Sequence, residues 1–168
     1  MPRNWDPFNV SLYRGEQPNA GEFPYGNMSK KRVFMVEDEA LLRDLFAQYV
    51  ELLPDVEYLG SSGDGKEAIE KALTLKPDIL ILDLRLPEVN GLEILVLLSR
   101  KLPDTRILIF TGSTSQQSIE MAVRCGAAGF VEKSFGLDAL KKAIEAVARG
   151  ETYYTENAAR LIRTVQAN

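Results

Sequence analysis

The spacing of apolar residues along this chain changes in a regular way. Five short runs, 33–36 (VFMV), 56–61 (VEYLGS), 79–82 (ILIL), 107–110 (ILIF) and 129–131 (GFV), are dense in β-branched or aromatic side chains and predict strands. Between them the apolar positions recur at helical spacing. Residues 39–53 place Leu42, Leu45, Phe46, Tyr49 and Leu53 on one face, and further helices are predicted over 64–75, 91–102, 115–125 and 137–149, the last stopped by Gly150. A final amphipathic stretch, Thr155 to Gln166, predicts an added helix with Thr155 or Asn157 near its start. Five alternations of strand and helix predict an α/β fold, a doubly wound parallel sheet of five strands with helices on both faces. Ligands of such sheets bind beyond the carboxyl ends of the strands, so every strand end is a place to look for chemistry.

The pattern divides the chain. Residues 1–29 hold four of the eight prolines and five aromatics (Trp5, Phe8, Tyr13, Phe23, Tyr25) without periodicity. They read as a flexible N-terminal extension, or else as a docking segment for a partner. Residues 30–150 form the domain, and 151–168 a C-terminal helix or the start of a linker.

Composition narrows the chemistry. With 45% hydrophobic and 26% charged residues the chain reads as a soluble globular protein. A net charge of −4 speaks against direct nucleic-acid binding. No signal peptide or membrane-length apolar run is visible, so a cytoplasmic location is expected, with no membrane partner. Cys125 is the only cysteine and reads as a small core residue, which excludes an internal disulfide or a cysteine-rich zinc site. The absence of histidine excludes Ser-His-Asp and Cys-His catalysis and imidazole metal ligands. Carboxylates, hydroxyls, lysine and backbone amides remain.

Those groups gather at the strand ends. The first strand runs into Glu37-Asp38-Glu39, the third into Asp83, the fourth into Thr111-Gly112-Ser113, and the fifth into Lys133. Three acids on one rim repel each other unless a cation joins them, and an oxygen-rich set suits a hard ion such as Mg²⁺. A carboxylate beside such an ion can attack phosphorus, while Lys133 and the Thr111 hydroxyl meet the charge spread over the phosphoryl oxygens. Glu39 reads as a helix-capping acid. Pro87 and Gly91 read as shaping the loop and the helix entry.

Glu37-Asp38, "ILDLRLPEVNG" (81–91), "TGS" (111–113) and "GFVEKS" (129–134), with intervals of 45, 28 and 22 residues from Asp38 through Asp83 and Thr111 to Lys133, resemble the receiver domain of two-component response regulators over residues 31–150. "CGAAGFVEKS" and "ARGETYYT" further resemble the subgroup that usually carries a C-terminal helix-turn-helix domain. The resemblance implies strand order 2-1-3-4-5 and a phosphorylation-dependent switch rather than an enzyme. It implies that Asp83 accepts phosphate from a sensor histidine kinase or phosphotransfer protein. Asp38 would bind Mg²⁺ directly, Glu37 through water, Asp83 through its carboxylate and Arg85 through its backbone carbonyl. Thr111 and Phe130 would form a coupled switch pair whose aromatic ring moves inward, remodelling residues 111–149 and permitting a phosphorylation-dependent homodimer. A DNA-binding output domain would need about 50 to 60 further residues, so the chain is expected to be either part of a longer regulator or a stand-alone receiver. Three features depart from the family pattern: Glu-Asp replaces the commoner Asp-Asp, Phe130 the frequent tyrosine, and Ser134 the frequent proline.

One stretch suggests a different class. "GSSGDGKE" (60–67) matches G-x-x-x-x-G-K and, with Asp83, suggests a P-loop-like nucleotide hydrolase using Gly60 to Lys66. Glu67 stands where that motif needs the serine or threonine that holds Mg²⁺, so the stretch reads instead as a loop with Asp64 or Ser62 capping the next helix.

Overall fold

The computed structural model describes residues 29–166; the extension expected over 1–29 falls, but for its last residue, outside them. In chain order the elements are β1 (Lys31–Val36), α1 (Ala40–Val50), β2 (Val56–Ser62), α2 (Gly65–Leu75), β3 (Ile79–Leu82), α3 (Gly91–Lys101), β4 (Arg106–Thr111), α4 (Gln116–Arg124), β5 (Gly129–Glu132), α5 (Gly136–Ala148), β6 (Tyr153–Tyr154) and α6 (Glu156–Gln166). A single 3-10 turn over Lys133–Phe135 joins β5 to α5.

Every neighbouring pair in the sheet is parallel, in the order β2-β1-β3-β4-β5-β6. The central strand β3, Ile79–Leu82, is buried and apolar on both faces because helices cover both. Alternation along each strand splits the core into two layers. Phe34, Val36, Leu80, Leu82, Ile107, Ile109 and Phe130 point to the side closed by α2, α3, α4 and α6. Val33, Met35, Ile79, Ile81, Leu108, Phe110 and Val131 point to the side closed by α1 and α5.

Two sequence expectations need correction. The sheet has six strands among the described residues, not five: Tyr153–Tyr154 pairs with Gly129–Phe130. A two-residue strand leaves no periodicity to read. Gly129 is what admits it, because a Cβ there would lie 2.5 Å from the Tyr153 carbonyl oxygen. On α1 the buried positions are Phe46 and Val50, with Leu53 beyond its end, whereas Leu45 points outward and is 45% exposed. The helix also stops earlier than expected, and Leu53 closes a turn onto the Val50 carbonyl just before Pro54. α6 packs on α4 and β5 and fully buries its own Ala158 in the core.

Candidate functional site

Because all strands run in one direction, Glu37, Asp83, Thr111 and Lys133 emerge on one edge of the sheet. Backbone hydrogen bonds fix their height: Glu37 N donates to Ser62 O at 3.0 Å, and Asp83 N to Val36 O at 2.9 Å. Thr111 stands opposite Glu132 in the β4–β5 register, one residue before Lys133.

Lys133 lies at the centre. Its Nζ is 2.8 Å from Glu37 Oε2, 2.9 Å from Asp83 Oδ2 and 3.1 Å from Glu39 Oε1. Glu37 is fully buried and Asp83 is 2% exposed, so two carboxylates are held almost out of water. The charge partner of Asp83 is therefore Lys133, not the nearby Arg85, which is exposed and donates its backbone N–H to Asp83 Oδ1 at 3.0 Å. With Oδ1 tied to an amide and Oδ2 to an ammonium, the Asp83 carboxylate is held in one orientation. Glu37 Oε1 likewise accepts from Glu39 N at 3.0 Å. Burial pushes the Glu37 carboxyl above its ordinary range, and the hydrogen bonds from Lys133 and Glu39 pull it part of the way back. Burial alone would depress the Lys133 ammonium, but its contacts with Glu37 and Asp83 outweigh that and raise it.

Oxygens of Glu37, Asp38 and Asp83 lie within 4.8 Å of one another. Three carboxylates with Glu39 beside them face one ammonium, which leaves the cluster with an excess of negative charge and oxygen donors. That set fits a hard divalent cation. Glu39 was expected to cap α1, yet its side chain makes no capping bond and faces Lys133 instead. An acid before a helix suits the partial positive charge at the end of the dipole, but the full charge of the Lys133 ammonium lies only 3.1 Å away.

Thr111 is buried, and its Oγ1 accepts from Ser113 N at 3.3 Å. Phe130 is fully buried in the layer under α4 and α6. The ring thus already stands inside, where the resemblance implied an inward movement. Gly91 is structural as expected: a Cβ there would meet the Leu84 backbone at 2.4 Å.

The nucleotide-loop reading loses its loop. Gly60, Ser61 and Ser62 belong to β2, Lys66 is exposed in the first turn of α2, and Asp64 caps that helix by accepting from Glu67 N at 2.8 Å.

A family model described as the response regulator receiver domain matches residues 33–145. The chain belongs to that family. This receiver domain is 32% identical over 130 residues to the nitrate/nitrite response regulator protein NarL of Escherichia coli K12, covering 77% of this chain and 60% of the relative. It is 32% identical over 128 residues to the DNA-binding transcriptional activator DevR/DosR of Mycobacterium tuberculosis, covering 76% and 59%. The chain thus spans about three-fifths of the length of these relatives. Among solved structures, a two-component response regulator of the LuxR family from Aurantimonas superposes with a TM-score of 0.75 at 28% identity, over 83% of this chain and 100% of that one.

Proposed function

We propose that this receiver domain switches by taking a phosphoryl group onto Asp83 from a phosphohistidine on a partner sensor kinase or phosphotransfer protein. The observation that carries this reading is the Lys133 ammonium, 2.9 Å from Asp83 Oδ2 and 2.8 Å from Glu37 Oε2 at the rim where the strands end. An Asp83 oxygen forms the new O–P bond as the donor's N–P bond breaks. The electron pair leaves on the imidazole nitrogen, which takes up a proton. Lys133 stays beside the oxygens onto which charge moves, and the Thr111 hydroxyl can turn from the Ser113 amide toward them. Glu37, Asp38, Asp83 and the Arg85 carbonyl would hold Mg²⁺, which supplies further positive charge to the phosphoryl oxygens. Attack by water later returns Asp83 and inorganic phosphate, and this is the only chemistry assigned to the domain.

Exposed apolar side chains flank the acceptor and suit a docking partner. Leu41, 72% exposed, lies two residues beyond Glu39, and Phe135, 47% exposed, two beyond Lys133. The Glu39–Lys133 ion pair brings the two segments together. Transcription regulation in the cytoplasm is the setting assigned by analogy with the relatives' names, with output through a homodimer.

The test is intact-mass spectrometry after treatment with acetyl phosphate. One added phosphoryl group is expected with Mg²⁺, and none with a chelator or in Asp83→Asn. Equal labelling of Asp83→Asn would refute the assignment.

A further inference from the structure

Arg43 sits in the first half of α1, but its guanidinium reaches back past the start of the helix. Its Nη1 donates to the carbonyl oxygens of both Glu37 and Asp38, each at 2.8 Å. The helix ladder satisfies neither: the backbone N–H of Arg43 goes to Glu39 O at 3.1 Å. One nitrogen of the half-buried Arg43 therefore brackets the peptide that joins the two acids. Asp38 needs that support, since its exposed carboxylate receives no hydrogen bond among the described residues. Its direction follows the backbone beneath it.

The slot for the guanidinium is cut from the opposite side. Gly63, in the β2–α2 connection, faces it so closely that a Cβ would lie 2.6 Å from Arg43 Nη1 and 3.3 Å from Cζ. No positive φ calls for glycine at this position. The missing side chain makes room for Arg43.

We propose that Arg43 is a positioning residue for cation binding. It holds the Glu37–Asp38 peptide so that the Asp38 carboxylate faces the site beside Asp83, and Gly63 is the notch that admits it. This rests on the reading of Glu37, Asp38 and Asp83 as the metal-binding set. The geometry makes an uncommon prediction about sign. As a nearby positive charge, Arg43 would weaken cation binding, so a purely electrostatic role predicts tighter binding once it is removed. As a clamp it strengthens binding, and residues that orient metal ligands are commonly worth 10-fold or more in affinity.

Mg²⁺ affinity is measured by calorimetry on the unphosphorylated chain for wild type, Arg43→Gln, Arg43→Lys, Gly63→Ala and the double variant Arg43→Gln/Gly63→Ala. Gly63→Ala keeps every charge, and the atom it displaces is the end of a flexible side chain, so the fold is expected to survive. Urea unfolding without Mg²⁺ checks this. The proposal expects affinity to fall on the order of ten-fold in Arg43→Gln and in Gly63→Ala. The double variant should be no weaker than either single, because both act through one contact. Arg43→Lys should fall in between, because it keeps a donor and the charge but on a shorter, more flexible stem without the rigid planar guanidinium. Unchanged or tighter Mg²⁺ binding in Arg43→Gln, or unchanged binding in Gly63→Ala, overturns the clamp and leaves the metal-binding set standing. Wild-type protein that binds no Mg²⁺ overturns both.

Discussion

Replacing Lys133 with methionine removes one charge from a cluster that holds two buried carboxylates, and the structure bounds the cost. Breaking a buried ion pair costs about 3–5 kcal/mol when the remaining charge has no escape. Here Glu37 has one, since it can take a proton. Keeping a glutamate of ordinary value 4.5 neutral at pH 7 costs about 3.4 kcal/mol, and at pH 5 about 0.7 kcal/mol. These are upper bounds, because Glu37 is already raised in the native protein. Lys133 is raised, so its contribution is fully present below its ordinary value of 10.5, and it is constant from pH 5 to 7. Glu37 is raised, so between its ordinary and folded values the native state binds the extra proton and stability falls as pH rises. Without Lys133 that window widens. Urea unfolding of wild type and Lys133→Met at pH 5, 6 and 7 should show a gap that grows with pH, and saturating Mg²⁺ should narrow it by restoring a cation. A gap independent of pH, or none at pH 7, would mean that Lys133 does not neutralise the buried acids.

Gly91→Ala should cost about 2–3 kcal/mol or more, because its Cβ meets the Leu84 backbone rather than a side chain that can move, and urea unfolding reads this directly. Asp64→Ala should lose about 1 kcal/mol through its helix cap, while Lys66→Ala should leave phosphoryl uptake from acetyl phosphate unchanged. Loss of uptake in Lys66→Ala would return attention to the nucleotide-loop reading. Beryllofluoride with Mg²⁺ should alter hydrogen exchange most within residues 111–132 and in the α6 residues packed on them, with Thr111→Ala weakening the change. A flat response there, with Asp83 occupied, would send the signal out by another face.

The fold was legible where side-chain spacing forced it. Runs such as Ile79–Leu82 admit no exposed face, so they had to be central strands, and the helical stripes between them had to cover both sides. β6 was not legible, because its partner is selected by the absent Cβ of Gly129 rather than by any pattern in Tyr153–Tyr154. At the site, Asp83, Glu37 and Asp38 announced themselves as acids at strand ends. Lys133 is one exposed-looking lysine among many in sequence, and only its place after the fifth strand picks it out. Glu39 and Arg43 were beyond reach for a shared reason. One turns toward a lysine 94 positions away, and the other reaches backward to carbonyls that carry no sequence signature.

The phosphoryl group is expected to reside on Asp83 itself, and reductive trapping of the labelled protein locates it directly. Borohydride converts an aspartyl phosphate to homoserine, and peptide mass spectrometry then locates the changed residue. Protein treated with acetyl phosphate and Mg²⁺ should carry homoserine at position 83, and Lys133→Met should carry much less. Homoserine at Asp38 or another aspartate with Asp83 intact, the longer alcohol that reduction leaves at a glutamate, or a phosphoryl group that resists borohydride on a serine or threonine, would rule out Asp83 as the acceptor.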